Sequence, residues 1–339
     1  MSFGARARHL PTGVPELQEL VARSAQLRVL GSGHSFNRIA DTTGDLVSVA
    51  GLPPVLQIDA ARSTVTVSAG TRYGELAAHL HAAGFAVPNL ASLPHISIAG
   101  ACATGTHGSG NGIGSLGTTV AAVEFVDGTG RLVHLSRDDA ADRFAGVVVA
   151  LGCLGVLTSM TLDLIPTFDV RQYVYEGLAG DQVIAHFDEI FACAYSVSVF
   201  TDWADPGFRV WVKARTDAAA THDVPASLGA SPADGPRNPV PGMAADNCTE
   251  QGGVPGPWHE RLPHFRPDFT PSFGDELQSE YLVARRDGPA ALDAISRVRD
   301  RLAPVLLTSE VRTIAADDLW LSPTYGRDSV AFHFTWIKD

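Results

Sequence analysis

The sequence is poor in positive charge, in cysteine and in long apolar runs, and each shortage closes off a class of function. Lysine and arginine total 25 against 37 aspartates and glutamates, a formal net charge of −12. Nucleic-acid binding needs clustered cations to neutralise phosphates, and no basic run or aromatic-basic interleaving is present. The four cysteines, Cys102, Cys153, Cys193 and Cys248, include no CxxC pair. They read as reduced, mostly buried thiols, neither a disulfide frame nor a zinc site. The longest apolar stretch, residues 147–157, is broken by glycines and too short to span a bilayer. The first fifteen residues hold arginines but no apolar h-region, so no signal peptide is visible and a cytoplasmic protein is expected.

What is present suits a soluble α+β protein of two domains. The chain has 339 residues, 45% hydrophobic and 18% charged, enough for two cores. Leu17, Leu20 and Val21 recur at helical spacing and predict a helix over 15–25, with Glu16 and Glu19 favouring its N-terminal turn. A second, Ala- and Leu-rich helix is expected at 73–83. Strands are expected at 27–30, 46–49, 65–67, 120–126 and 132–135, the last two flanking the hairpin signal Asp127-Gly128-Thr129-Gly130. A strand over 156–165 ends at Pro166, and we place the domain boundary there, giving 1–166 and 167–339. Beyond it come strands at 170–175, 195–200, 209–213, 306–314 and 330–337, and a helix at 289–302 opened by Pro289. Residues 216–247, dense in Ala, Pro, Gly and Asp, read as a long mobile surface loop. Short strands, hairpins and helices in this mixture favour α+β over a regular βαβ array.

Two glycine-rich segments carry most of the functional information. The first is Gly31-Ser32-Gly33-His34-Ser35. The second runs from Ser92-Leu93-Pro94-His95-Ile96-Ser97-Ile98-Ala99-Gly100 to Ala103-Thr104-Gly105-Thr106-His107-Gly108-Ser109-Gly110. Glycine lets backbone N–H groups approach a ligand, and Ser and Thr add donors for phosphate oxygens. Two such loops suit a large phosphorylated cofactor held along its length. A nicotinamide fingerprint fails, because Phe36 stands where the third glycine belongs. Taken alone, the first loop is equally an ordinary tight turn with an exposed His34. The second could be a close-packed helix of small residues, but Thr104, Thr106, His107 and Ser109 would be costly in a dry core without partners. A metal site is disfavoured, since His95 and His107 lack further ligands at zinc spacing apart from Cys102. Gly108-Ser109-Gly110 is not the G-x-S-x-G nucleophile elbow.

The late strands supply a different chemistry. Residues two apart share a strand face, so Glu310 and Arg312 point one way, as do His333 and Thr335. If the strands are neighbours, a carboxylate, a guanidinium, an imidazole and a hydroxyl converge, a patch able to hold several polyol hydroxyls. The competing reading is two solvent-facing strands joined by a weak salt bridge.

These motifs together resemble the alditol (xylitol) oxidases of the vanillyl-alcohol-oxidase flavoprotein superfamily, to which sugar-1,4-lactone oxidases are related. The resemblance extends through the runs 195–203 and 254–265, Glu310-Val311-Arg312-Thr313 and His333-Phe334-Thr335-Trp336, roughly residues 16–337. It implies an FAD-binding (PCMH-type) domain of two α+β subdomains and a substrate domain whose antiparallel sheet roofs the isoalloxazine. It also implies covalent attachment of FAD through His34. Gly31, Ser32, Gly33, Ser35, Ser92, His95, Ser97, Gly100, Thr104, Gly105, Thr106, His107 and Gly108 would then surround the cofactor. By the same resemblance Ser92, Glu310, Arg312, His333 and Thr335 bind substrate, with Arg312 and His333 stabilising the alkoxide as hydride leaves for flavin N5. Dioxygen then becomes hydrogen peroxide. The implied partners are a small polyol and dioxygen, with no nucleic acid and no membrane insertion, and the expected state is a monomer.

The sequence departs from that family at its ends. The N-terminal arm is short, and the chain stops at Asp339, where the family continues into a segment bearing an active-site lysine; Lys338 is in no matching motif. Two functions are therefore carried forward. One is an oxidase, active as it stands or when completed by residues outside this sequence. The other is a truncated, catalytically weak flavin-binding homologue. A sugar-1,4-lactone oxidase is a third reading, within the enzyme class.

Overall fold

The computed structural model describes residues 3–204, 207–218, 226–269 and 276–338. Its N-terminal part begins with Val14–Arg23, a helix started by Pro15 and by Glu16, whose carboxylate accepts from the Thr12 N–H. Leu17, Leu20 and Val21 form its buried stripe and pack on Val47, Val126 and Val156. A small parallel sheet of Ala7–His9, Asp45–Val47 and Leu27–Val29 lies beside it. The main N-terminal sheet is antiparallel, in the order Leu56–Asp59, Thr64–Ser68, Gly155–Asp163, Val120–Asp127, Leu132–Ser136. The hairpin between its last two strands is closed by Asp127, whose Oδ1 accepts from Thr129 and Arg131 N–H groups.

A larger antiparallel sheet follows. Its central run is Asp169–Ala179, Gly207–Arg215, Ser196–Thr201, Leu306–Ile314, Ser329–Ile337 and Glu276–Ala284. Helices Gly180–Ala185, Phe187–Ala192 and Gly288–Ser296 contribute Val183, Phe187, Ile190, Phe191 and Leu292 to the core on one face. The other face turns toward the glycine loops. The N-terminal core takes residues from beyond the boundary, since Phe168, Val170, Trp258, Leu262 and Leu319 belong to it. No described helix is long and apolar enough to cross a membrane.

Three expectations need correction. The 289–302 helix is interrupted: Gly288–Ser296 ends and a separate short turn, Arg299–Leu302, follows. A strand at Glu276–Ala284 was not anticipated. The segment 216–247 lies partly outside the described residues, but its described portion is packed, not a mobile loop. There the Arg237 guanidinium bridges Glu176 and Asp234, and Arg209 donates to the Asn238 and Pro239 carbonyls. Val240 is buried. Low periodicity hid this, because the segment is held by guanidinium–carbonyl bonds, which leave no repeating pattern.

Candidate active site

A cavity of about 610 Å³ runs between the glycine loops and the free face of the large sheet. The strand Leu27–Val29 delivers the first loop into it. Gly33 adopts φ +71°, a backbone that side-chain-bearing residues rarely take, and this presents His34 to the cavity. The two loops are tied together where the Ser97 N–H donates to Ser32 Oγ. A Cβ on Gly31 would lie 2.6 Å from Ser97 Oγ, so a side chain here would have to turn that hydroxyl aside. Gly31, Ser32, Gly33, His34, Ser35, Ser92, Ser97, Gly100, Thr104, Gly105, Thr106 and His107 all line the cavity.

The second loop turns out to satisfy both readings of its composition. Ile98–Ala103 is a helix with Ile98, Ala101 and Cys102 in the core, while Ala99, Gly100 and Ala103 face the cavity. Thr104 Oγ1 donates to the Gly100 carbonyl and stands 3.4 Å from Thr106 Oγ1. His107 and Ser109 are partnered by protein: His107 contacts the Gly108 carbonyl and Glu280, and Ser109 donates to the Val197 carbonyl.

Two expected cofactor contacts are not cavity-lining. His95 sits behind His34, with ring centroids 4.8 Å apart edge to face, and neither of its ring nitrogens has a hydrogen-bond partner. Burial, then His34 and Arg72, push its imidazole down to about 4. Gly108 is wedged against Asn89 and the Leu90 carbonyl, with no room for a Cβ. His34 itself is held below its usual value by burial and by Arg72, so its imidazole is neutral at pH 7.

The sheet end of the cavity is built by strand register. Glu280, His333 and Glu310 form one cross-strand row, and Gln278, Thr335 and Thr308 form the next. Arg312, two residues beyond Glu310, shares its face. Its Nη2 lies 2.5 Å from Glu280 Oε1, and its Nε lies 3.6 Å from Glu310 Oε2. Burial opposes ionisation of both acids, but Arg312 with His264 at Glu310, and His107 with Arg312 at Glu280, hold them well below the usual carboxylate range. Burial acts against the guanidinium too, yet the two carboxylates keep Arg312 a firm cation. Burial pushes His333 below its usual value despite Glu280. Its Nε2 lies 3.1 Å from Gln278 Oε1, so the neutral ring donates there and keeps a lone pair on Nδ1.

The expected convergence of Glu310, Arg312, His333 and Thr335 therefore holds in space. Glu280, Gln278 and His264 also line the cavity, and sequence reading missed their roles. A signal for two of them existed: Glu276, Gln278 and Glu280 recur at strand period on one face.

The residues present fit FAD. The cavity lies between the loops and the polar sheet face, its volume is that of a cofactor-sized site, and Ser32, Ser35, Thr104, Thr106, Arg28 and Arg72 on its wall would offer donors and cations to the cofactor's phosphate and ribityl oxygens. Comparison with known proteins agrees. A family profile described as an FAD binding domain matches residues 7–136. The alditol oxidase of Streptomyces sp. is 51% identical over 343 residues, covering 100% of this chain and 81% of that protein. The L-gulono-1,4-lactone dehydrogenase of Mycobacterium tuberculosis is 29% identical, over 95% of this chain and 78% of its own length. Among solved structures, cholesterol oxidase from Brevibacterium sterolicum superposes with a TM-score of 0.76 over 97% of this chain and 76% of its own, at 15% identity, a likeness of fold alone. With the 51% identical alditol oxidase aligned to the whole of this chain, the chain belongs to the alditol oxidase family and is an FAD-dependent oxidoreductase.

Proposed function

We propose that the chain oxidises a terminal hydroxyl of an acyclic alditol, of the xylitol or sorbitol class, to the aldose, with FAD attached through His34. Residues 1–166 would hold the cofactor and 167–339 the substrate, in a cytoplasmic monomer. The chemistry the cofactor supplies is two-electron acceptance: hydride from the carbinol carbon, then delivery of both electrons to dioxygen as hydrogen peroxide. The chain's own residues do the rest. Arg312, fixed between two carboxylates, places a permanent positive charge where the alcohol oxygen becomes negative. Neutral His333 offers Nδ1 as acceptor for the hydroxyl proton. Glu310, Ser92 and Thr335 accept from or donate to the neighbouring hydroxyls, so a flexible polyol is held in one orientation. Glu310, Arg312 and Thr335 are buried, which strengthens their electrostatic contacts.

The observation that carries this reading is the row Glu280, His333 and Glu310 with Arg312, set on the same cavity as His34. The test begins with a denaturing gel of purified protein viewed for flavin fluorescence, beside His34→Ala. Fluorescence in the native sequence and none in the variant supports attachment at His34; a dark band from flavin-replete cells refutes it. Peroxide formation is then followed on alditols and on sugar-1,4-lactones. Turnover of lactones and not alditols would overturn the substrate assignment.

A further inference from the structure

Lys213 is 2% exposed, in the middle of the large sheet, and is absent from the wall of the main cavity. Lysine is almost never fully buried without a partner. Here Nζ donates to the Leu262 carbonyl and lies 3.4 Å from His264 Nδ1. His264 Nε2 lies 3.2 Å from Glu310 Oε1, and both side chains are over nine-tenths buried. Lys213, His264, Glu310 and Arg312 share the wall of a void of about 10 Å³, too small for anything larger than one water.

The donor inventory makes this chain directional. As an ammonium Lys213 has donors only, so His264 Nδ1 then presents its lone pair; burial pushes Lys213 down to about 7, so this state fills as pH falls below 7. The ring proton is then on Nε2 and points at Glu310 Oε1. Arg312 Nε lies 3.6 Å from the second oxygen, an ion pair and not a hydrogen bond, and Glu310 also lines the main cavity. Burial and the adjacent Lys213 push His264 down to about 4, which keeps the ring neutral.

We propose that Lys213 and His264 are positioning residues that lock Glu310 as an acceptor-only carboxylate, so that the site selects substrates donating a hydroxyl at that point. This rests on the polyol reading for its substrate, but the lock itself does not. It acts through Glu310: Lys213 is off the main cavity wall, and His264, which reaches that wall, bonds to Glu310 by its Nε2.

Two measurements test it. In a double-mutant cycle on the FAD-loaded enzyme, His264→Leu is expected to raise the alditol KM ~10-fold or more, the loss typical of a hydrogen bond to a charged group, with a smaller fall in kcat. His264→Gln, which retains an N–H donor, is expected to recover most of that loss. In a Glu310→Gln background His264→Leu should add less than threefold. Losses that multiply independently of Glu310, or no recovery with glutamine, would overturn the lock. The second measurement needs no substrate: long-range ¹H–¹⁵N spectra of histidine-labelled protein. His264 should carry its proton on Nε2 alone, and Lys213→Met should admit the Nδ1–H form. A charged ring or an Nδ1–H ring in the native protein refutes the proposal. If no alditol is turned over, the oxidase reading fails and the spectra still decide the tautomer lock.

Discussion

Replacing Arg312 by methionine removes the cation shared by two carboxylates, and the consequence can be worked out from the site. Arg312 is 10% exposed at its side chain, Glu310 7% and Glu280 26%. Taking one partner from a buried pair leaves a buried charge uncompensated, at a cost of about 3–5 kcal/mol. At roughly 2–4 °C per kcal/mol, the melting temperature of the FAD-loaded protein should fall by about 6–20 °C at pH 7. The pH dependence supplies the sharper test. In the native protein both acids have depressed pKa values, so their stabilising contribution is complete above the ordinary carboxylate pKa and is lost as pH falls below it. Without the guanidinium, burial opposes ionisation of both acids with only His264, His107 and His333 left to offset it, so the added penalty is greatest at pH 7 and is relieved as the acids protonate. The gap in melting temperature should therefore narrow between pH 7 and pH 5. Adding Glu280→Gln to Arg312→Met should restore part of the loss, because the pair is coupled. Thermal unfolding by circular dichroism at both pH values checks all three. A loss under about 1 kcal/mol, or a gap that does not change with pH, would refute the reasoning.

Other consequences are simpler to read. Gly33→Val forces a β-branched residue to φ +71°, which costs about 1–3 kcal/mol and shifts His34; flavin bound per chain, read from absorbance, should fall while Gly33→Asn largely retains it. The acid limb of kcat/KM should lie below pH 6.5, because His333 must be neutral to accept a proton and burial lowers its pKa; Glu280, Glu310, Arg312 and His107 act on the same ring, and a limb centred above 6.5 would contradict the assignment. Alkylation of the native protein followed by mass spectrometry should label exposed Cys153 first. Cys102 and Cys248, whose thiols burial pushes up to about 12 and about 11, should remain unmodified until the protein unfolds.

Much of the fold was legible because local periodicity and the later packing agree. Leu17, Leu20 and Val21 announce a helix face, and that face is the one buried. The hairpin at residues 127–130 was legible from its glycines and aspartate, which satisfy the turn without help from elsewhere. The glycine loops were readable as a ligand cradle from their glycines and hydroxyls, although His107, Ser109 and Thr104 find protein partners that the sequence did not reveal. The i, i+2 spacing of Glu310 with Arg312 and of His333 with Thr335 puts each pair on one face by strand geometry alone.

The sequence by itself determined the α+β class, the two glycine loops and the strand faces that carry the polar residues, since each follows from interactions within a few positions. Only the tertiary structure decided which strands are neighbours. Pairing of Glu276–Ala284 with Ser329–Ile337 brings Glu280 opposite His333, and pairing with Leu306–Ile314 brings Glu310 there from the other side. His264 reaches Glu310 across 46 residues of chain, and Lys213 joins them from a still earlier strand. No local pattern encodes such contacts, because a buried charge is stable only where a partner from a distant strand meets it, and that partner is set by register and packing.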